Sequence, residues 1–160
     1  EACIKLAEMN PDKKFLIISP PAPGKEGYYN EVVSTINGVK NIKYLSFTSQ
    51  EDTYKYIAAS RCMILTSEYE GDWPLTVLEA VSSGVPVISL SLNYGKLIDE
   101  YKAGFFCNNQ IALADKYFRK LTNDDKLLDE MSQNAVRYSR DFHDIKKNTA
   151  QLYELLSELC

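Results

Sequence analysis

Acidic residues surround the expected start of one helix, in the stretch SEYEGDWPLTVLEA. Glu70 and Asp72 come just before Pro74, a residue that fits the first turn of a helix because its missing N–H would have no partner there. The pattern predicts a helix over about 74–83, with Asp72 or Trp73 as the capping residue.

The first turn of that helix could bind a phosphate. The backbone N–H groups of Leu75, Thr76 and Val77 have no partner within the helix, and free donors at a helix N-terminus attract anions. Thr76 adds a hydroxyl. Glu79 follows about one turn later, and its carboxylate could accept hydrogen bonds from the two vicinal hydroxyls of a ribose. Glu70 could accept from the hydroxyls of a second sugar.

Each of these residues also has a simpler interpretation. Acidic side chains ahead of a helix often only complement its dipole, and Glu79 could be a solvated helix residue. Trp73 could stack on a sugar or pack against the domain surface. His143 is the only histidine, and a capping or surface role is expected for it.

The bulk composition excludes several classes of protein. The 160 residues fit one domain, and a formal net charge of −4 without a basic block argues against nucleic-acid binding. The four cysteines have no CxxC spacing, which favours a reduced intracellular setting. No apolar run is long enough to span a membrane. A cytoplasmic location is expected, and peripheral association with the inner membrane face stays open.

Apolar runs alternate with helical patterns along the chain. The runs predict strands at 14–19, 41–47, 62–67, 85–91 and 103–107. Helices are predicted at 1–9, 27–37, 48–60, 74–83, from about 110 with a break at 122–125, and at 145–159. Ser49 or Thr48 is the expected cap of the third helix. This alternation predicts a doubly wound α/β fold, with a parallel sheet, helices on both faces and ligands at the carboxyl ends of the strands.

The segment EGDWPLTVLEAVSSGVPVIS resembles the donor-site signature of GT-B glycosyltransferases, the large group that includes sucrose synthases and bacterial glycan-building enzymes. NPDKKFLIIS, AGFFC and the terminal helices are also similar to that group, so the resemblance covers nearly the whole chain. It implies a Rossmann-like half of a two-domain enzyme. Residues 1–160 would be the C-terminal donor-binding domain, truncated before its first strand and lacking the acceptor domain.

The resemblance also implies roles for individual residues. Glu79 would bind the ribose hydroxyls, and the backbone N–H groups of Leu75 and Thr76 would bind the diphosphate. Glu70 would contact the transferred sugar and is the expected catalytic residue. The base would lie beside two residues that follow the second strand, Phe47 and Thr48.

Two departures from the family pattern affect these assignments. Eight residues separate Glu70 from Glu79, one more than in the family, so Glu68 or Asp72 could take over the role of Glu70. Lys96 stands where the family usually has a glutamate, and its ammonium group could face a phosphate.

The function implied by the resemblance is retaining transfer of a hexose. A nucleotide diphosphate sugar would be the donor, and a glycan, a lipid-linked molecule or a small molecule would be the acceptor. No metal or other cofactor is expected, and this chain alone should be inactive because the cations of the family's first strand are missing. Two alternatives stay open: a non-catalytic flavodoxin-like or receiver-like binding module, and a fragment of a GT-B-fold nucleotide-sugar epimerase.

Overall fold

The fold alternates strands and helices, as the sequence predicts. The computed structural model describes residues 1–21, 23–70 and 73–159. The strands are β1 (Phe15–Ile18), β2 (Ile42–Leu45), β3 (Met63–Leu65), β4 (Val87–Ser89) and β5 (Gly104–Phe106). The helices are α1 (Ala2–Met9), α2 (Glu26–Asn37), α3 (Gln50–Ala58), α4 (Leu75–Ser82), α5 (Ile111–Asn123), α6 (Asp125–Phe142) and α7 (Ile145–Glu158). Each strand is shorter than the apolar run that predicted it.

All strand pairs are parallel, but they form two sheets rather than one. β1 pairs with β2, and β4 lies between β3 and β5. At the centre of the second sheet, Val87 pairs with Met63 on one side and with Gly104 on the other. Within the described part of the chain, β1 and β3 each have one edge without a strand partner.

Helices cover both faces of the second sheet, as predicted. Ile88 and Leu90 belong to a buried cluster that includes side chains of α1, α5 and β1. Val87 belongs to a second cluster, which is formed mainly by α4, β3 and α6. Successive side chains of a strand point to opposite faces, so β4 contributes to both cores and fixes the two helix layers relative to each other.

Side-chain caps fix the start of several helices. The Ser49 hydroxyl accepts a hydrogen bond from the Asp52 N–H at 3.1 Å and caps α3, so Ser49 and not Thr48 is the cap. Asp124 ends α5 and caps α6 by accepting from the Leu127 N–H at 2.9 Å, which confirms the predicted break. The segment GKLIDEY, which could have been one helical turn or two, contains a π-helical stretch at Lys96–Glu100.

The end of α4 is held against α6. Gly84 has a φ of +72°, and its carbonyl accepts a hydrogen bond from the Ser132 hydroxyl at 2.6 Å. The hydroxyls of Ser82 and Ser139 are 2.8 Å apart. A left-handed glycine lets the chain reverse after the helix, and these hydroxyl contacts hold the carboxyl end of α4 against α6.

The last helix lies on the outside of the domain. α7 buries none of its side chains, and its apolar face is exposed, with Ile145, Leu152, Tyr153 and Leu156 all accessible. Among the described helices, none combines the length and apolar character needed to cross a membrane.

Candidate functional site

The fourth helix starts one residue later than predicted. Pro74 is its N-cap, with an extended backbone (φ −63°, ψ 131°), and Leu75 is the first helical residue. The Pro74 carbonyl accepts from the N–H groups of Val77 at 3.0 Å and Leu78 at 3.2 Å. The extended ψ of Pro74 lets its carbonyl begin the helical hydrogen bonds, so the prediction of Trp73 as the cap is wrong. Asp72, the other predicted cap, lies outside the described residues.

The first turn of α4 has two backbone donors without a partner in the described part of the chain. The N–H groups of Leu75 and Thr76 donate to no acceptor among the described residues, whereas Val77, also predicted to be free, is paired with Pro74. Leu75 is 74% exposed, so this turn is open to solvent. The helix therefore offers two adjacent amide donors at its positive end, an arrangement that suits a phosphate oxygen.

Glu79 lies on the same face of α4 as these donors. Residues three and four apart are neighbours on a helix, so Thr76 and Leu75 both flank Glu79. The opposite face carries Val77 and Val81 into the core. Glu79 is half-buried, and no hydrogen bond or ion pair to its carboxylate occurs among the described residues. Its oxygens are available as acceptors about one turn beyond the two N–H groups.

Glu70 lies between the ends of two strands. It follows β3, is half-buried, and comes close to Tyr94, which follows β4. Burial raises the pKa of the Tyr94 hydroxyl, and the negative charge of Glu70 raises it further. Glu68, one possible substitute for Glu70, is exposed, and Asp72, the other, is outside the described residues.

Phe47 and Thr48 occupy the loop after β2. Phe47 is 80% exposed, and Thr48 is half-buried. No hydrogen bond among the described residues joins either side chain to α4, so their place beside a base stays a prediction.

Lys96 is the basic side chain that the sequence placed near this edge of the sheet. Its Nζ lies 4.8 Å from the ring centroid of Phe142, within the range of a cation–π contact. Lys96 therefore has an aromatic partner in the protein, and its proposed contact with a phosphate stays a prediction.

An aromatic cluster beside α4 was not predicted. Trp73 packs against Tyr94, Tyr138 and His143, with ring centroids 4.8, 5.6 and 5.6 Å away, respectively. Of its two proposed roles, packing is the one that the structure shows. His143 is the C-cap of α6, which agrees with the expected capping role; it is half-buried, and its Nε2 atom is buried with no partner among the described residues. The spacing of Tyr138 and Phe142, four residues apart, was the available sequence signal for this cluster.

The burial of His143 predicts a pH-dependent stability. Burial lowers the pKa of His143 from its ordinary 6.5. The unfolded chain therefore binds a proton more readily, and the free energy of unfolding falls as the pH drops through 6.5 towards the lower folded-state pKa. One proton contributes at most about 1.4 kcal/mol per pH unit, and partial exposure reduces this slope.

Urea unfolding between pH 7.5 and 5 measures this effect, with His143→Gln as the comparison. In the wild type, we expect the free energy of unfolding to fall as the pH is lowered. In the variant it should be nearly independent of pH, because the chain has no other histidine. Equal slopes in the two proteins would contradict the assignment to His143.

No group of three or more histidine, cysteine, aspartate or glutamate side chains is arranged to hold a metal ion in the described parts of the chain, 1–21, 23–70 and 73–159.

The sequence profile of the family "Glycosyl transferases group 1" matches residues 1–138. The chain belongs to this family. The match includes the whole of α4 and the loops after β2, β3 and β4, so every candidate site residue lies within it. It favours the glycosyltransferase interpretation over the receiver-like module. No curated protein matches the sequence at a significant level.

Solved structures share the fold at low sequence identity. The C-terminal domain of the group 1 glycosyl transferase LpcC from Francisella tularensis is 20% identical, with a TM-score of 0.74, covering 90% of this chain and 76% of that domain. Anabaena HepE, solved with UDP and glucose, is 19% identical, with a TM-score of 0.82, covering 98% of this chain and 44% of HepE. Sucrose-phosphate synthase from Thermosynechococcus elongatus is 16% identical, with a TM-score of 0.77, covering 99% and 43%. The chain therefore spans less than half of the two longer proteins.

Proposed function

We propose that this chain is the nucleotide-sugar-binding half of a group 1 glycosyltransferase. One observation carries the proposal: the N–H groups of Leu75 and Thr76 and the carboxylate of Glu79, none of which has a partner among the described residues, lie on one side of the start of α4. Helix α4 follows β3 in the chain, and β3 is a parallel strand. Doubly wound folds bind their ligands at the carboxyl ends of such strands.

The arrangement suits a nucleoside diphosphate. The two N–H groups would donate to the diphosphate, and the helix dipole favours its negative charge. Glu79 would accept from the ribose hydroxyls, which have the spacing for a two-oxygen acceptor. Glu70 would contact the transferred sugar. The base would lie near two residues of the loop after β2, the exposed Phe47 and the half-buried Thr48.

The complete enzyme would transfer a hexose with retention of configuration to a glycan, a lipid-linked molecule or a small molecule. HepE was solved with UDP, so UDP is the first nucleotide to test here. Helix N–H groups and basic side chains would meet the diphosphate charge, and we expect binding without a metal. A UDP titration with and without EDTA tests that expectation: the affinity should be the same in both.

The strand order supports an incomplete domain. The common doubly wound order is 3-2-1-4-5-6, in which the first strand lies at the centre. Without that strand, the remaining five would pair as a two-stranded and a three-stranded sheet, and this is the pairing observed. We propose that a further strand fits between β1 and β3, and that this chain lacks turnover without it and without an acceptor domain.

Glu79→Gln tests the ribose contact. The substitution keeps the size of the side chain and removes its charge, and hydrogen bonds to charged groups contribute about 1.5–3 kcal/mol. We expect UDP to bind about 10-fold more weakly. A UDP analogue that lacks both ribose hydroxyls should bind the wild type and the variant equally.

Glu8→Gln is the matched control, because Glu8 is an exposed helical glutamate on α1. It should leave UDP affinity unchanged. Equal losses for UDP and the dideoxy analogue in Glu79→Gln would sink the ribose assignment, and equal losses in both variants would indicate a general charge effect.

A further inference from the structure

Trp73, the only tryptophan of the chain, connects the loop after β3 to the rest of the domain. Its indole packs on three rings: Tyr94 from the loop after β4, Tyr138 from α6, and His143 at the end of α6. These contacts join segments that are far apart in sequence.

The rings under Trp73 are themselves fixed. Tyr138 is buried and packs on Tyr101 and Phe142, with ring centroids 5.3 and 5.1 Å away. The Tyr101 hydroxyl donates to the Asp141 carboxylate at 2.6 Å. Trp73 therefore rests on a set of side chains that α6 holds in place.

The backbone of Trp73 leads directly into the candidate site. The next residue, Pro74, supplies the carbonyl that starts the hydrogen bonds of α4. Glu70 lies three residues earlier in the same loop. A shift of the indole would move Pro74, and with it the free N–H groups of Leu75 and Thr76.

We propose that Trp73 is a positioning residue: its packing on Tyr94, Tyr138 and His143 fixes Pro74 and the start of α4 before the nucleotide binds. The inference rests on the proposed function of α4. A helix start that is already held in place loses less conformational entropy on binding, so nucleotide affinity depends on this packing even though Trp73 would touch no phosphate.

UDP titrations of Trp73→Ala and Trp73→Phe test the proposal, each at a temperature where unfolding curves show the variant to be folded. We expect Trp73→Ala to weaken UDP binding about 10-fold and Trp73→Phe to restore it to within about 3-fold of the wild type. Tyr117→Ala is the matched control, because Tyr117 stacks on Phe105 at the other buried cluster, away from the rings that support Trp73. It should lose stability and keep its UDP affinity.

The fluorescence of the sole tryptophan gives a second readout. The wild type should emit at the wavelength of a packed indole and shift little when UDP is added, because the ring is in place before binding. His143→Ala keeps Trp73 but removes one of its contacts, so it should show red-shifted emission and bind UDP about 3-fold more weakly. If Trp73→Ala does not fold, His143→Ala tests the positioning role in its place.

The outcomes separate the inference from the function on which it rests. UDP binding by the wild type with no loss in Trp73→Ala or His143→Ala would overturn the positioning role and leave the nucleotide site standing. An exposed indole that shifts to the blue only with UDP would also overturn it. Absence of binding by the wild type to UDP, GDP and ADP alike would overturn the proposed function as well.

Discussion

Replacement of Leu75 by proline is expected to weaken UDP binding about 10-fold or more while leaving the free energy of unfolding nearly unchanged. Leu75 is the first helical residue of α4, the position where proline is best tolerated. Proline restricts the residue before it to extended conformations, and Pro74 already has a ψ of 131°. The substitution therefore removes one N–H donor from the proposed phosphate site and little else. A hydrogen bond to a charged group contributes about 1.5–3 kcal/mol.

Leu75→Ala separates the donor from the side chain. It keeps the N–H group and removes only a side chain that is mostly exposed, so UDP affinity should stay within about 2-fold of the wild type. Calorimetric titration with UDP, together with urea unfolding, measures both quantities. If Leu75→Pro binds UDP as well as Leu75→Ala does, the backbone of α4 does not bind the diphosphate.

Replacement of Gly104 by alanine is expected to destabilise the fold by about 3 kcal/mol or more. Gly104 is buried in β5 and pairs with Val87 of β4. An added Cβ would lie 2.5 Å from the Val87 carbonyl oxygen and 3.5 Å from the Ile98 side chain. The carbonyl belongs to the backbone of the central strand, so it cannot move aside without breaking the pairing. Urea unfolding of the purified variant measures the loss.

Gly27→Ala is the control for this prediction and should have the opposite sign. Gly27 lies within α2, and a Cβ there would meet no atom within 4 Å. Alanine is the better helix former, so stability should rise by roughly 0.5–1 kcal/mol. A Gly104→Ala protein as stable as the wild type would contradict the close packing of β4 against β5.

Much of the fold could be predicted because its signals are local. A short apolar run such as 85–91 is typical of a strand covered on both faces, and β4 does contribute to both cores. The caps at Ser49 and Asp124 also depend on neighbouring residues alone. The division into two sheets could not be predicted in this way, because strand pairing depends on which strands become neighbours in space.

The candidate site was only partly predictable for the same reason. The two free donors and Glu79 follow from the spacing within one helix. The capping residue could not be predicted from that spacing. Pro74 has an extended ψ, so α4 starts at Leu75 and the Pro74 carbonyl accepts from the Val77 N–H. The environment of Trp73 could not be predicted from local patterns, since its neighbours come from the loop after β4 and from α6 and its C-cap.

The central claim is that a nucleoside diphosphate binds at the start of α4. Amide NMR spectra of the chain titrated with UDP, GDP and ADP up to about 10 mM test it most directly, because they detect even weak binding. We predict saturable shifts at Leu75, Thr76 and Glu79 for one of the three nucleotides, with no change along α7. The claim would be contradicted if the largest shifts lay elsewhere in the chain, or if no nucleotide caused saturable shifts.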